Sequence, residues 1–142
     1  MTARIQKFEF SHLEQMEIQK NQEHVNNWLN PLDYVGLNGW TLFVDDKPIF
    51  CAGLFKMYGK RYVAWSLIAW NCGRYFRRIM RVIRRYLRMF YQGCRIECTC
   101  DVNFKQAHRF AEMLGFKLEA PLMRQYEVDG RDSCLYAMIV GG

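Results

Sequence analysis

The chain has 142 residues, 51% hydrophobic and 15% aromatic, which suits one domain over 1–142 with a real core; three prolines and no repeat or low-complexity tract exclude a disordered or fibrous protein. The formal net charge is +6, yet the stretch Asn71 to Gln92 carries seven arginines and no acid, which leaves about −1 for the rest and makes the basicity one local feature. The N-terminal "MTARIQKFEFSH" has no apolar signal core and the longest uncharged run, Tyr62 to Gly73, is too short to span a bilayer, so the expectation is a cytoplasmic protein whose six cysteines are reduced.

In chain order, "ARIQKFEF" reads as a first strand. Ser11, with Glu14 three residues on, caps a helix whose apolar spacing runs through Leu13, Met16, Ile18, Val25 and Trp28. "NPLDYVGLNG" then reads as a loop. "WTLFVD", a turn at Asp45-Asp46-Lys47-Pro48, "IFCAGLFKMY", a turn at Gly59-Lys60-Arg61 and "YVAWSLIA" form an antiparallel meander. Gly73 opens a second helix and Gly93 closes it. "RIECTCDV" is a strand, and "FKQAHRFAEMLGF" is a helix stopped by Gly115. "KLEAPLMRQYEV" and "SCLYAMIV" flank Asp129-Gly130-Arg131-Asp132, a hairpin turn. The order β-α-β-β-β-α-β-α-β-β predicts an α+β fold: a mixed, mostly antiparallel sheet of about six or seven strands with helices on both faces and right-handed crossovers.

The stretch "QAHRFAEMLGFKLEA", Gln106 to Ala120, resembles the helix A-x-x-L-Y-E-K-L-G-F and following strand of the GNAT superfamily of acetyl-coenzyme A-dependent N-acetyltransferases; Ala107, Phe110, Glu112, Leu114, Gly115 and Phe116 match. The ending "YEVDGRDSCLYAMIV" resembles the family's closing hairpin, so the resemblance covers nearly the whole chain. Within the superfamily it looks most like small acetyltransferase-like proteins of tailed bacteriophages, which share a basic helix and a terminal Gly-Gly, here Gly141-Gly142; that implies a bacterial host cytoplasm or a virion. The resemblance implies acetyl-coenzyme A bound between the fourth and fifth strands. Backbone groups of Leu67, Ile68 and Ala69 would hold the pantetheine, and the turn Asn71-Cys72-Gly73-Arg74-Tyr75 the pyrophosphate, with Asn103 and Phe110 near the coenzyme. Of the family's Q/R-x-x-G-x-G/A motif only Gly73 is kept: Trp70 replaces Gln or Arg, and Tyr75 a small residue. The family's general-acid Tyr falls on Ala111 and its Asn on Phe104, and no strand-four Glu base is present, where Ser66 carries the only hydroxyl after Tyr62. Tyr126 and Glu119 are then the candidates for proton handling with Ser66, and Asp33 and Tyr34 face the acceptor side. Trp65 and Trp70 flank the implied acyl site.

Arg74, Arg77, Arg78, Arg81, Arg84, Arg85 and Arg88 form one stripe of a 3.6-residue helix, opposite Phe76, Ile79, Met80, Val82, Ile83, Leu87 and Phe90. One reading is a solvated outer face. Against it, like charges at i,i+3 and i,i+4 repel with no glutamate between them. Arg74, Arg77 and Arg78 suit coenzyme phosphates. Arg81, Arg84, Arg85 and Arg88 reach up to about 20 Å further at 1.5 Å per residue and need another anion. An acidic protein surface is preferred: for nucleic acid the charge is present without a motif, and a membrane would take the apolar face from the core. No metal is expected, because Cys94, Cys98, Cys100 and His108 lack paired ligand spacing; Cys98 and Cys100 share a strand face with Ile96 as small apolar residues. No Cys–His or Ser–His pairing follows from spacing. Cys72 sits at a helix N-terminus that lowers a thiol's pKa, or is a small residue in a tight loop. Two readings stand: an N-acetyltransferase acting on an amine, and a GNAT-like binding protein of weak or no activity that docks through its arginine helix.

Overall fold

The computed structural model describes residues 3–16, 39–68 and 72–142. The expected continuation of the first helix past Met16, the "NPLDYVGLN" loop with Asp33 and Tyr34, and Ala69, Trp70 and Asn71 lie outside the described residues. The elements are β1 (Ala3–Lys7), α1 (Phe10–Gln15), β2 (Gly39–Val44), β3 (Lys47–Tyr58), β4 (Arg61–Ile68), a 3-10 turn (Cys72–Tyr75), α2 (Phe76–Phe90), β5 (Arg95–Asp101), α3 (Lys105–Leu114), β6 (Lys117–Met123) and β7 (Ser133–Ile139). The hydrogen-bonded strand order is β1-β2-β3-β4-β5-β7-β6. The fold is α+β with a seven-stranded, mostly antiparallel sheet, in the element order expected from the sequence. The chain divides into two compact units, Met1–Phe55 with Ala64–Phe76 and Lys56–Val63 with Arg77–Gly142.

In the first unit β1 and β2 pair antiparallel from Ala3↔Val44 to Lys7↔Trp40, and β2 pairs antiparallel with β3. Asp45 and Asp46 both have positive φ (50° and 66°), the signature of a two-residue type I′ hairpin. The turn is therefore tighter than expected, and Lys47 and Pro48 already belong to β3, opposite Val44 and Phe43. α1 contributes His12, buried with its Nδ1 accepting the Glu9 backbone N–H and 2.7 Å from Thr41 Oγ1. Burial first, then nearby Arg4, holds that imidazole below its ordinary pKa against the pull of Glu9, which keeps it a neutral core residue. Gly39 is dictated by packing: a Cβ there would lie 2.6 Å from the Trp65 ring and 2.7 Å from the Ala52 carbonyl oxygen.

In the second unit β4 pairs in parallel with β5 from Arg61↔Arg95 to Val63↔Glu97. β7 lies antiparallel to both β5 and β6, so β5 and β6 run the same way. The β5–α3–β6 segment therefore forms a crossover. α3 ends as expected: Gly115 takes φ 104° and its N–H reaches back to the Ala111 and Glu112 carbonyls. Edge strand β6 stops at Met123, shorter than expected, and carries Pro121 without disturbing an interior ladder. The Asp129-Gly130 turn, with Gly130 at φ 87°, is thus part of a longer connection over 124–132. Asp132 accepts the Gln125 N–H, Glu127 accepts the Ser133 hydroxyl, and Arg131 donates to Asp101 and Asp129.

Candidate functional site

The stretch from β4 through the 3-10 turn into α2 carries most of the residues implied for the coenzyme. β4 pairs in parallel with β5 over Arg61–Val63 and runs on to Ile68. The chain then enters the turn Cys72–Tyr75 and the 15-residue α2. Gly73 is exposed, and a Cβ built on it would meet nothing within 4 Å. Its φ lies outside the left-handed region, so neither crowding nor backbone strain demands glycine there. What the missing side chain provides is open space beside the start of a helix, whose first N–H groups have no intrahelical acceptor. Arg74, Arg77 and Arg78 are exposed around this end, with no ion pair among the described residues. Tyr75 is half-buried. Open space, free donors and guanidinium groups together suit an anion such as a pyrophosphate.

Below the turn, Trp65 on β4 packs edge-on against Phe8 at 4.9 Å and covers Gly39. Its indole Nε1–H is buried and has no hydrogen-bond partner among the described residues. Native interiors rarely leave such a donor unmet. This feature was not legible in the sequence, where Trp65 was one of two tryptophans flanking the implied acyl site.

The candidates for proton handling belong to different units. Ser66 is half-buried on β4 in the first unit, and Glu119 and Tyr126 belong to the second. Glu119 accepts two hydrogen bonds from Arg95, at 3.0 and 2.6 Å, which hold its carboxyl below the usual range and weaken it as a base. Tyr126 is 54% exposed, in the connection before β7. Ala111, to which the resemblance assigns the general-acid position, is 3% exposed and part of the core. Asn103 is exposed, and its N–H is held by the Asp101 carboxylate at 2.8 Å; Phe110 is half-buried on α3.

A charged cluster that the sequence reading missed lies in the second unit. Glu97 is buried on β5 and accepts hydrogen bonds from Arg61 at 2.6 and 3.0 Å and from Arg95 at 2.8 Å. Arg95 bridges on to Glu119, giving four alternating charges. Arg61 above all, then Arg95, depresses the Glu97 carboxyl to about 2 against the opposing effect of burial. The available signal was a glutamate in mid-strand, two residues from an arginine on the same face.

Spacing also gave no Cys–His pair, but the fold brings Cys134 Sγ to 3.6 Å from His108 Nδ1. The pair is structural. His108 Nε2 donates to the carbonyls of Asp101 and Val102, and Nδ1 shares the Tyr136 hydroxyl with Glu112. Burial pushes the Cys134 thiol up to about 11, away from nucleophilic use. Cys51, Cys94, Cys98, Cys100 and Cys134 are free thiols.

The arginine helix also differs in detail from the expected stripe. Ile79, Met80 and Leu87 are buried, whereas Val82 and Phe90, expected on the sheet side, are exposed. Arg84 donates to the Met113 carbonyl in the last turn of α3, where a cation meets an otherwise unmatched acceptor and the negative end of the helix dipole. Arg81, Arg85 and Arg88 remain exposed, with no ion pair among the described residues. No described helix is long and apolar enough to cross a membrane.

No family model and no curated protein matches the chain. Solved structures do match along its length. Ard1 from Thermoplasma volcanium aligns over 100% of both chains at a TM-score of 0.79 and 14% identity. An N-acetyltransferase from Staphylococcus aureus Mu50 aligns over 100% of both chains at 0.74 and 12%. The ribosomal-protein-S18-alanine N-acetyltransferase of Escherichia coli aligns over 99% of this chain and 96% of its own at 0.68 and 13%. The fold is that of the GNAT acetyltransferases.

Proposed function

We propose that the chain binds acetyl-coenzyme A on the β4–turn–α2 stretch and passes the acetyl group to an amine. The observation that carries this reading is Gly73: on a fold shared with acetyltransferases, it leaves open space just before a helix, in a stretch of sequence that carries Arg74, Arg77 and Arg78, all exposed and without an ion pair among the described residues. The coenzyme supplies an acyl group already activated as a thioester. Arg74, Arg78 and the N–H groups of the first turn hold its phosphates, with Arg77 beside them. The backbone of Leu67, Ile68 and Ala69 pairs with the pantetheine arm in the manner of an added strand. The Trp65 indole N–H, the one buried side-chain donor without a partner among the described residues, orients the acyl carbonyl or the incoming substrate.

Rate comes from positioning more than from proton transfer. Ala111 donates nothing, and Glu119 is tied to Arg95. Tyr126 is the first residue to test as a proton donor. Turnover is therefore slow. The buried Ala111 also favours the second reading, a coenzyme-binding protein with no useful catalysis.

The test is thermal and calorimetric titration with acetyl-coenzyme A, followed by mass spectrometry of an amine acceptor. At a hundredfold excess over Kd, binding adds about 2.7 kcal/mol of stability. Gly73→Asp keeps the fold, since a side chain there meets nothing, and abolishes the shift by filling the space with an anion. A wild type that shows no shift with saturating coenzyme overturns the reading. Binding without transfer selects the second reading.

A further inference from the structure

The outer turns of α2 present three features together. Arg81, Arg85 and Arg88 are exposed and unpaired among the described residues. Val82 is 42% exposed and Met89 63% exposed. At 100° per residue, Val82 and Met89 fall next to Arg78 and Arg85, so the apolar side chains border the basic stripe instead of joining the buried face. Phe90 stands exposed at the end of the same helix.

Each feature alone is ordinary; their overlap on three consecutive turns is specific. A face meant only for solvation would carry mixed charges, which also support a helix through i,i+4 pairs. A face meant for phosphate backbone has no use for exposed valine and methionine, because such interfaces are polar and governed by charge. Arginine, methionine and aromatic side chains together are the composition of a protein–protein contact, with methionine adapting to the partner's shape. A bilayer is a poor match, since Ile79, Met80 and Leu87 are already buried in the fold.

We infer that the outer half of α2 is a docking face for an acidic segment of another protein that also carries apolar side chains. Its carboxylates meet Arg81, Arg85 and Arg88, and its apolar residues cover Val82 and Met89. Arg84 takes no part, because its guanidinium is fixed on the Met113 carbonyl. The inference stands independently of the coenzyme reading.

The experiment measures fluorescence anisotropy with the full chain and three labelled probes: a glutamate-rich helical peptide with leucines at i, i+3, i+4 and i+7, the same peptide with glutamine for leucine, and duplex DNA of matched charge. The leucine peptide is expected to bind about tenfold tighter than the glutamine peptide, and to weaken as salt rises. Arg81→Gln, Arg85→Gln and Arg88→Gln combined should weaken both peptides more than about tenfold. Val82→Ser with Met89→Ser should erase the difference between the peptides and leave the glutamine peptide unchanged. All five residues are exposed, so melting curves serve as a check that the variants fold. The inference fails if the triple variant binds the leucine peptide like wild type, or if DNA binds more tightly than the peptide and is lost in the triple variant.

Discussion

Arginine is used in two opposite ways in this chain. On β4 and β5, Arg61 and Arg95 close on the buried carboxylate of Glu97, with Glu119 completing the row. On the 3-10 turn and α2, Arg74, Arg77, Arg78, Arg81, Arg85 and Arg88 are exposed with no ion pair to an acid among the described residues. The first arrangement is internally complete. Its charges were matched when the strands paired, so it serves stability and geometry. The second gains little from the fold, and its like-charge neighbours work slightly against the helix. Charge without an internal partner is left for an outside anion, and the two proposals above assign it coenzyme phosphates at one end of α2 and an acidic protein segment at the other. Substitutions that move stability in one set and binding in the other make the contrast measurable.

The largest stability effect belongs to Glu97. Glu97→Gln leaves Arg61 and Arg95 without their buried counter-charge. Breaking a fully buried pair costs about 3–5 kcal/mol, and since both arginines reach solvent the expected loss is about 2–3 kcal/mol. That lowers Tm by roughly 5–10 °C for a domain of this size, read by calorimetry. A change within a degree would mean that the cluster contributes no more than a surface pair.

The same cluster sets a pH window. Glu97 has its carboxyl lowered in the folded state from 4.5 to about 2. Its contribution is present in full above the unfolded value and is lost as pH falls from about 4.5 toward about 2, where the folded carboxylate finally takes its proton. Denaturation midpoints measured down this range should fall faster for wild type than for Glu97→Gln, and the two curves should converge near pH 2.

Ala111→Tyr ranks next and bears on catalysis. Restoring the family's acid at a 3% exposed position overpacks the core and costs about 1–3 kcal/mol. Transfer activity that rises despite the lower Tm would show that the ring turns out toward the coenzyme.

How far the sequence carried each of these readings follows from its physics. Strand alternation, Gly115 and the repeated turns specify local structure, so all seven strands and the element order were legible. So was the exposed arginine stripe, because a helix imposes its period on any sequence. Pairings between distant strands were not legible. Glu97 meets Arg61 across 36 positions, and Cys134 meets His108 across 26. The destination of Arg84 was equally hidden, since nothing in its own helix signals the open carbonyl of Met113 in another. Val82 and Phe90 were assigned inward with the other apolar residues of α2, but Val82 falls beside the arginine stripe and Phe90 is the last residue of the helix, and both are exposed.

Arg84 separates from its helix neighbours by a smaller margin. Arg84→Gln loses the cation at the end of α3 and is expected to cost about 0.3–1 kcal/mol, reduced by salt. The readout is Tm at low and high ionic strength. An Arg84 variant indistinguishable from Arg85→Gln would return it to the solvent face.

The smallest effect is the sharpest test of the contrast. Arg81, Arg85 and Arg88 repel one another at i,i+4, i,i+3 and i,i+7, and no acid on α2 offsets them. Each like-charge neighbour costs about 0.2–0.5 kcal/mol. Glutamine keeps nearly the same helix propensity and removes the charge. The triple Arg→Gln variant should therefore be as stable as wild type or slightly more stable, by at most about 1 kcal/mol at low salt. Salt screens exposed charges within about 10 Å at 0.1 M and about 3 Å at 1 M, so the gain should vanish as salt is raised. Glu97→Gln should keep most of its deficit under the same conditions, because a buried pair is poorly screened. A triple variant that is clearly less stable at every salt concentration would mean that these arginines do have a partner within the fold, and the distinction between the two sets would fail.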